Sequence, residues 1–222
     1  MNVIEAILSR KSIRGYTKEP VPRETLDKIL DVAIRTPSGL NAQPWEMAVV
    51  TGNTLEEIKK ANVQLLNSGV MPSPDVPLVP LESIYKQRQV DLAMQLFDLM
   101  GIAREDKQKR AQWMELGFRF FDAPAAFILL ADRSLDESRT QFDLGAISQT
   151  ICLAALHYDL GTCIGLQGVM YPQVLRKLIG IPESKRITIS ISIGYPDWDF
   201  PANNIRSQRE PVDIIATWHG FE

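Results

Sequence analysis

The seven residues AAFILLA, from Ala125 to Ala131, decide how the chain is organised. All seven are apolar or small, with no alternation between apolar and polar positions, which is typical of a strand that is covered on both faces. Such a strand belongs at the centre of a sheet with helices above and below it. This run therefore predicts a layered protein built around an interior sheet.

The other strand and helix signals surround this run on both sides. The run ITISISI, from Ile187 to Ile193, alternates with period two and predicts a strand with one covered face that ends at Gly194, and Trp45 to Thr51 predicts a shorter buried strand. Four prolines between Gly69 and Pro80 predict a loop. Apolar periodicity and capping residues predict helices after Asn2, from Pro22 to before Pro37, from Thr54 to about Leu66, at about 83–100 and 105–121, from Gln141 to Tyr158, and from near Pro172. Helices and strands interleave, so the predicted class is α/β or α+β.

Composition places the chain among ordinary globular proteins. Its 222 residues are 45% hydrophobic and 23% charged, which is enough for a full core and predicts a single domain spanning 1–222. A net charge of −3 argues against a nucleic-acid binder. The amino terminus lacks the pattern of a signal peptide, and no apolar run approaches the roughly 20 residues of a membrane span, so we expect a cytoplasmic protein. Neither Cys152 and Cys163 nor His157 and His219 have metal-site spacing, so we expect no metal.

No common catalytic motif is present, which predicts that any reaction is carried by a cofactor. The segment RKSIR, from Arg10 to Arg14, follows the first predicted helix. If it is extended, Arg10, Ser12 and Arg14 face one side and suit a phosphate monoester. The alternative is a solvated run of charge.

Three further segments could contact a ligand, each with a plain structural alternative. The loop PSGLNAQPW, from Pro37 to Trp45, could present amides to a heteroaromatic ring or be only a connecting turn. The segment GTCIGLQG, from Gly161 to Gly168, could let backbone approach a flat ligand or serve tight packing. Arg206 and Arg209 could clamp an anion or form surface ion pairs.

The order and spacing of these four segments resemble the FMN-dependent nitroreductase family, from about Val3 to Trp218. The resemblance implies an α+β, three-layer α/β/α fold with a mostly antiparallel central sheet, in an intertwined homodimer with two sites at the interface. It also implies that residues 69–121 form a variable lid over the substrate. Residues 197–222 would form a tail that embraces the partner.

The same resemblance implies the cofactor-binding residues. The phosphate, ribityl chain and pyrimidine edge of FMN would be held by Arg10, Lys11, Ser12 and Arg14, with Arg209 completing the phosphate clamp and Arg206 as a further candidate. The loop reaching FMN from the partner subunit would contribute Ser38, Gly39, Asn41 and Gln43. The other face of the flavin would be covered by Gly165, Leu166, Gln167 and Gly168, with the Gly168 N–H near flavin N5.

The implied activity is that of an NAD(P)H-dependent flavoprotein oxidoreductase. NADH or NADPH would give hydride to the flavin in a ping-pong cycle, and a nitroaromatic, a quinone or a related electron-poor aromatic would then be reduced. Cationic donors would stabilise the negative charge that a reduced flavin carries near N1. No side chain is then needed as a dedicated acid or nucleophile. The alternatives are a reductive dehalogenase-like enzyme, or a flavin-binding protein that serves storage or sensing without turnover.

The predicted lid contains two candidate substrate contacts. Tyr85 could lie over the flavin, and Arg88 could face an anionic group of the substrate. The alternative is an amphipathic helix whose polar face is solvated.

Overall fold

The computed structural model describes residues 1–221, and within them the centre of the molecule is a four-stranded sheet of order β1-β2-β4-β3. Each neighbouring pair is antiparallel. The strands are β1 (Glu46–Thr51), β2 (Ala125–Asp132), β3 (Gly161–Gly165) and β4 (Lys185–Gly194). The predicted central position of the AAFILLA run is confirmed, because β2 lies between β1 and β4.

Successive residues of β2 supply two hydrophobic cores. Phe127 and Leu129 belong to one core, and Ile128 and Leu130 belong to the other. All four are 7% exposed or less. Since side chains alternate across a strand, a fully apolar strand can fill both sides of a sheet.

Five of the eight helices among residues 1–221 pack on the two faces of the sheet, and the bounds of all eight are as follows. They are α1 (Val3–Ser9), α2 (Arg23–Ala33), α3 (Gly52–Asn67), α4 (Ser83–Leu99), α5 (Lys107–Phe118), α6 (Glu137–Leu156), α7 (Pro172–Ile179) and α8 (Val212–Ile215). Residues of α2 and α6 join the Phe127 core, and residues of α3, α5 and α7 join the Ile128 core. The predicted α+β fold with three α/β/α layers is confirmed. None of the helices in residues 1–221 is both long and apolar enough to cross a membrane.

Several helix ends differ from the predictions for local reasons. The capping box of Asn2 and Glu5 starts α1 as predicted. The predicted cap at Thr54 is wrong, because α3 already begins at Gly52. The predicted start of α6 at Gln141 is four residues late, because the Asp136 carboxylate accepts the N–H of Arg139 and caps the helix there.

The prediction that β4 has one covered face is wrong. Thr188, Ser190 and Ser192 are 2–3% exposed, because β4 is an interior strand with helices on both sides. Two of these hydroxyl groups have backbone acceptors, since Thr188 Oγ1 donates to the Leu129 carbonyl at 2.9 Å and Ser190 Oγ donates to the Gly165 carbonyl at 2.7 Å. A register shift between Leu129 and Leu130 also sends Ile187 into the opposite core from the later isoleucines.

The glycine-rich segment from Gly161 to Gly168 begins as a strand rather than as a connecting loop. Its first five residues form β3, which pairs with β4. On the other side of β3, Ser12 forms an isolated parallel bridge with Thr162. The extended Arg10 to Arg14 segment therefore lies beside β3.

The predicted lid and the predicted tail meet in a third, smaller core. Leu96 of α4 packs with Ala202 and Ile205, and Trp113 and Phe200 pack around them. The proline-rich stretch that precedes α4 is irregular, as predicted. Its Asp75 carboxylate pairs with Arg176 at 2.6 Å and accepts the N–H of Ile187, which anchors this stretch to the sheet.

Candidate functional site

The Arg10 to Arg14 segment carries its polar side chains towards Cys163 on β3. Burial raises the pKa of the Cys163 thiol, and Arg14, the Ser12 hydroxyl and Arg10 each act in the opposite direction, so all three lie near its sulfur. Ile13 points the other way and is 2% exposed. The backbone pairing beside β3 thus gives the segment one polar and one apolar side.

The cationic groups of this region lack carboxylate partners. Lys11 Nζ lies 4.9 Å from the centre of the Trp198 ring. Burial lowers the pKa of Lys11, and the neighbouring Arg206 lowers it further. Within residues 1–221, neither these two side chains nor Arg10 and Arg14 form an ion pair with a carboxylate. Gathered like charges without a counter-charge are typical of an anion site.

The two candidate arginines of the tail are placed differently. Arg206 is close enough to Lys11 to affect its pKa. The Arg209 guanidinium instead donates to the carbonyls of Ser207 and Gln208 and to the Ser207 hydroxyl at 2.8–3.3 Å. In this chain Arg206 therefore belongs to the cationic group, and the phosphate contact of Arg209 stays a prediction.

The segment after β3 presents backbone at a closely packed place. Gly168 is buried, and a Cβ at that position would lie 2.3 Å from the Phe120 ring. Its N–H has no hydrogen-bond acceptor within residues 1–221. A buried N–H without an acceptor is rare and marks a place for a ligand. The Gln167 side chain turns away from this N–H and donates to the Met114 carbonyl of α5 at 3.1 Å.

A left-handed turn connects the cationic segment to Gly168. Phe120, Phe121 and Asp122 have φ values of 54–55°, which is a strained region for residues with a side chain. The turn places the Phe120 ring against Gly168. It also places the Phe121 ring with its centre 6.0 Å from the Arg14 guanidinium carbon. Two consecutive residues of this turn thus lie beside two segments that are far apart in the chain, the Arg10 to Arg14 segment and Gly168.

The predicted partner-reaching loop is exposed and stiff. Its four predicted ligands, Ser38, Gly39, Asn41 and Gln43, lie around a short 3-10 turn. Asn41 and Gln43 have φ values of 57° and 46°, and Leu40, just before Asn41, has a φ of 53° and is 98% exposed. The loop is held by the Gly39 N–H, which donates to the buried Asp143 carboxylate at 3.3 Å. Within residues 1–221 these side chains do not join the Arg10 to Arg14 group.

The two candidate substrate contacts lie at the start of α4. Tyr85 is 61% exposed. Arg88 stacks on it, with its guanidinium carbon 5.7 Å from the ring centre, and pairs with Glu210 of the tail at 2.8 Å. Arg88 is thus already engaged by a carboxylate of the same chain. Its predicted contact with an anionic substrate requires Glu210 to be displaced.

Two buried asparagines support the site, and sequence reasoning missed both. Asn203 accepts the backbone N–H groups of Arg14 and Gly15 at 2.7 and 3.2 Å, which fixes the end of the cationic segment to the tail. Asn62 donates to the Gly168 carbonyl at 3.1 Å. Both are 0% exposed. Nothing in the local sequence distinguishes these residues from surface asparagines.

The fold and the site together define an α+β protein with a group of cationic side chains and a buried backbone amide at Gly168. Within residues 1–221, no group of three or more His, Cys, Asp or Glu residues could hold a metal ion. The donor set fits FMN. The cations match its phosphate, the Gly168 N–H is available to a ring acceptor, and the close contact at Gly168 leaves no room for a side chain.

Comparison with known proteins identifies the family. The sequence model of the nitroreductase family matches residues 7–195. The chain is 34% identical over 218 residues to the chloronitrobenzene nitroreductase of Comamonas testosteroni, which covers 96% of this chain and 95% of that protein. The chain therefore belongs to the nitroreductase family, and the resemblance seen in the sequence is confirmed.

Solved structures agree with this assignment. The FMN and NADPH-dependent nitroreductase NfnB from sphigopyxis sp. strain HMH has a TM-score of 0.95 to this chain at 28% identity, with 100% of each chain covered. The FMN-dependent nitroreductase NfnB from Mycobacterium smegmatis, solved in complex with NADPH, has a TM-score of 0.92 at 25% identity, with 98% of this chain and 97% of that chain covered.

Proposed function

We propose that the protein is an FMN-dependent oxidoreductase that takes electrons from NADPH or NADH and reduces nitroaromatic compounds. The observation that carries this proposal is the joint placement of the cationic group and the Gly168 amide. Among residues 1–221, Arg10, Lys11, Arg14 and Arg206 have no carboxylate partner and the Gly168 N–H has no acceptor, and the Phe120–Phe121 turn lies beside both Arg14 and Gly168. Of the structural relatives named above, one is FMN and NADPH-dependent, and the other is FMN-dependent and was solved in complex with NADPH.

In this proposal the residues of the chain bind and orient the cofactor. FMN supplies the two-electron chemistry when it is bound, since none of the site residues is a redox group. Arg10, Lys11 and Arg14 would neutralise its phosphate and the electron-rich edge of its ring, and Ser12 would donate a hydrogen bond. Arg206 would add to the cationic group. The Gly168 N–H would donate to the ring edge, where its burial excludes water.

The proposed electron acceptor is an aromatic compound with a nitro group. The relative from Comamonas testosteroni is a chloronitrobenzene nitroreductase. In this chain, Trp113 and Phe121 provide aromatic surfaces, with ring centres 6.5 Å apart, next to Arg14. A flat, electron-poor ring suits such surfaces, because aromatic side chains favour stacked or tilted contacts.

The proposal includes a homodimer with the loop from Ser38 to Gln43 serving the partner's site. None of the α1 residues is buried, although Val3, Ile4 and Leu8 are apolar and 61–79% exposed. Phe142 on α6 is 80% exposed. Apolar surface of this extent on a small protein favours burial against another chain.

The functional division of the chain remains part of the proposal. Residues 69–121 would act as the lid and residues 197–222 as the tail, within one domain spanning 1–222. Contact of α4 with the Pro201–Asn204 turn supports a lid that rests on the tail. We also propose a cytoplasmic location, where NADPH is supplied and Cys152 and Cys163, both free and buried, stay reduced.

The test begins with the purified protein, which we expect to be yellow and to release FMN on denaturation. Under anaerobic conditions, NADPH oxidation should depend on an added chloronitrobenzene, and sedimentation should give the mass of a dimer. Turnover of a halogenated tyrosine would favour the dehalogenase alternative, and very slow flavin reduction by both NADPH and NADH would favour storage or sensing. Colourless protein that fails to take up added FMN would contradict the proposal.

A further inference from the structure

Asn62 is a buried side chain that joins two parts of the site. It lies on α3 and is 0% exposed. Its Nδ2 group donates to the carbonyl of Phe118, the last residue of α5, and to the carbonyl of Gly168, both at 3.1 Å. The end of the predicted lid and the Gly168 segment are therefore held by the same amide.

The orientation of this amide is determined by its two acceptors. Only the NH₂ end of an Asn side chain can donate, and it faces two carbonyl oxygens. Its other end, Oδ1, is buried and has no hydrogen-bond partner within residues 1–221. A buried acceptor without a donor is costly, so optimising stability alone does not explain an asparagine here.

Gly168 depends on outside contacts for its orientation. It has no side chain, so its peptide groups are fixed by the hydrogen bonds of the surrounding turn and by what holds its carbonyl. Asn62 holds the carbonyl, and the Phe120 ring lies where a Cβ of residue 168 would otherwise be, 2.3 Å from such an atom. The Gly168 N–H shares a planar peptide with the Gln167 carbonyl, which accepts the Met170 N–H, and Asn62 holds the peptide on the other side of the Gly168 Cα.

We propose that Asn62 is a positioning residue that orients the Gly168 N–H towards the flavin ring and holds the end of α5 at a fixed position relative to Gly168. This inference rests on the proposed function. A second amide supports the same coupling, since Gln167 donates to the Met114 carbonyl and packs its side-chain oxygen against Gly117 of α5. Asn62 acts through Gly168 and does not itself contact the cofactor or the substrate.

The test compares Asn62→Leu, which keeps the approximate size but removes both donors, with Thr188→Val as a matched control. Thr188 is 3% exposed and donates one buried hydrogen bond to the Leu129 carbonyl, within the sheet. Asn62→Ala serves as a second variant, because its smaller side chain admits water to the two carbonyls if Asn62→Leu folds poorly. All are examined as purified, with and without added FMN.

The first readout is amide hydrogen exchange, which does not depend on activity. The Val169 and Met170 N–H groups donate within the turn that holds Gly168. They should exchange about tenfold faster in the Asn62 variants, the effect of losing one neutral hydrogen bond, and should match wild type in Thr188→Val. Protection of the Gly168 N–H on FMN addition should be reduced in the Asn62 variants only.

The second readout separates positioning from binding. The rate of flavin reduction at saturating NADPH should fall about tenfold in the Asn62 variants, while the KM for NADPH stays within about threefold of wild type. Unchanged Val169 and Met170 exchange, or an unchanged reduction rate, would overturn the inference. If the wild-type protein takes up no FMN, the proposed function fails, whereas the exchange of these two amides still decides whether Asn62 holds the turn.

Discussion

Replacing Gly168 by alanine tests the close approach of this residue to the Phe120 ring. The new Cβ would lie 2.3 Å from Phe120 Cε1 and 2.6 Å from Cζ. Ordinary carbon contacts are about 3.5–4.0 Å, so the ring and the Gly168 backbone must separate by roughly 1.2–1.7 Å. Phe120 is 1% exposed and sits in the left-handed turn before β2, so its ring has no free direction in which to move. Overpacking of this kind costs about 1–3 kcal/mol.

The assay is urea unfolding of Gly168→Ala beside Gly165→Ala, three residues away. A Cβ at Gly165 meets nothing within 4 Å, so that variant should stay within about 0.5 kcal/mol of wild type. The FMN affinity of Gly168→Ala should also fall, because the displaced backbone carries the N–H offered to the ring. Adding Phe120→Leu to Gly168→Ala should recover part of the lost stability. Equal unfolding midpoints for both glycine variants and wild type would refute the reasoning.

Three further predictions follow from other parts of the structure. Arg14→Ala should raise the Kd for FMN by about tenfold or more, whereas Arg23→Ala, which removes the same charge at an exposed site on α2, should not; FMN fluorescence measures both. Arg88→Ala should raise the KM for a carboxylated nitroaromatic several-fold and leave the KM for neutral nitrobenzene unchanged, because only the carboxylated substrate can replace Glu210 as the partner of Arg88. Equal effects on both substrates would show that Arg88 does not bind the substrate. Burial raises the pKa of Cys152 from 9.0 to about 11, so the thiol ionises more readily in the unfolded chain, and the free energy of unfolding should fall between about pH 9 and pH 11. Urea unfolding of Cys152→Ala should show a lower free energy of unfolding at pH 8 but a smaller decrease over that pH range.

Much of the fold could be predicted because its signals are local. The unbroken apolar run of β2 and the capping box of α1 each act within a few residues. The two covered faces of β4 could not be predicted in the same way. Its serines resemble a solvated face in sequence, and only the acceptors supplied by neighbouring strands, such as the Gly165 carbonyl, allow them to be buried.

The site was predictable where its chemistry is local and hidden where it depends on tertiary contacts. The cations from Arg10 to Arg14 stand in one short segment, so their pattern is visible in the sequence. The left-handed turn at Phe120 to Asp122 contains no glycine or asparagine, the residues from which such a turn would be predicted. Asn62 and Asn203 become important only through carbonyls and N–H groups that the fold brings to them from distant segments.

The places where this protein departs from the most stable local arrangement coincide at one site. Within residues 1–221, cations without carboxylate partners, a buried Gly168 N–H without an acceptor, and three strained residues from Phe120 to Asp122 each cost stability when considered separately. They are neighbours in the structure. The Arg14 guanidinium lies over the Phe121 ring, and the Phe120 ring lies against Gly168. An anionic, flat cofactor would satisfy the cations and the amide together, which gives a common physical reason for features that no single structural role explains.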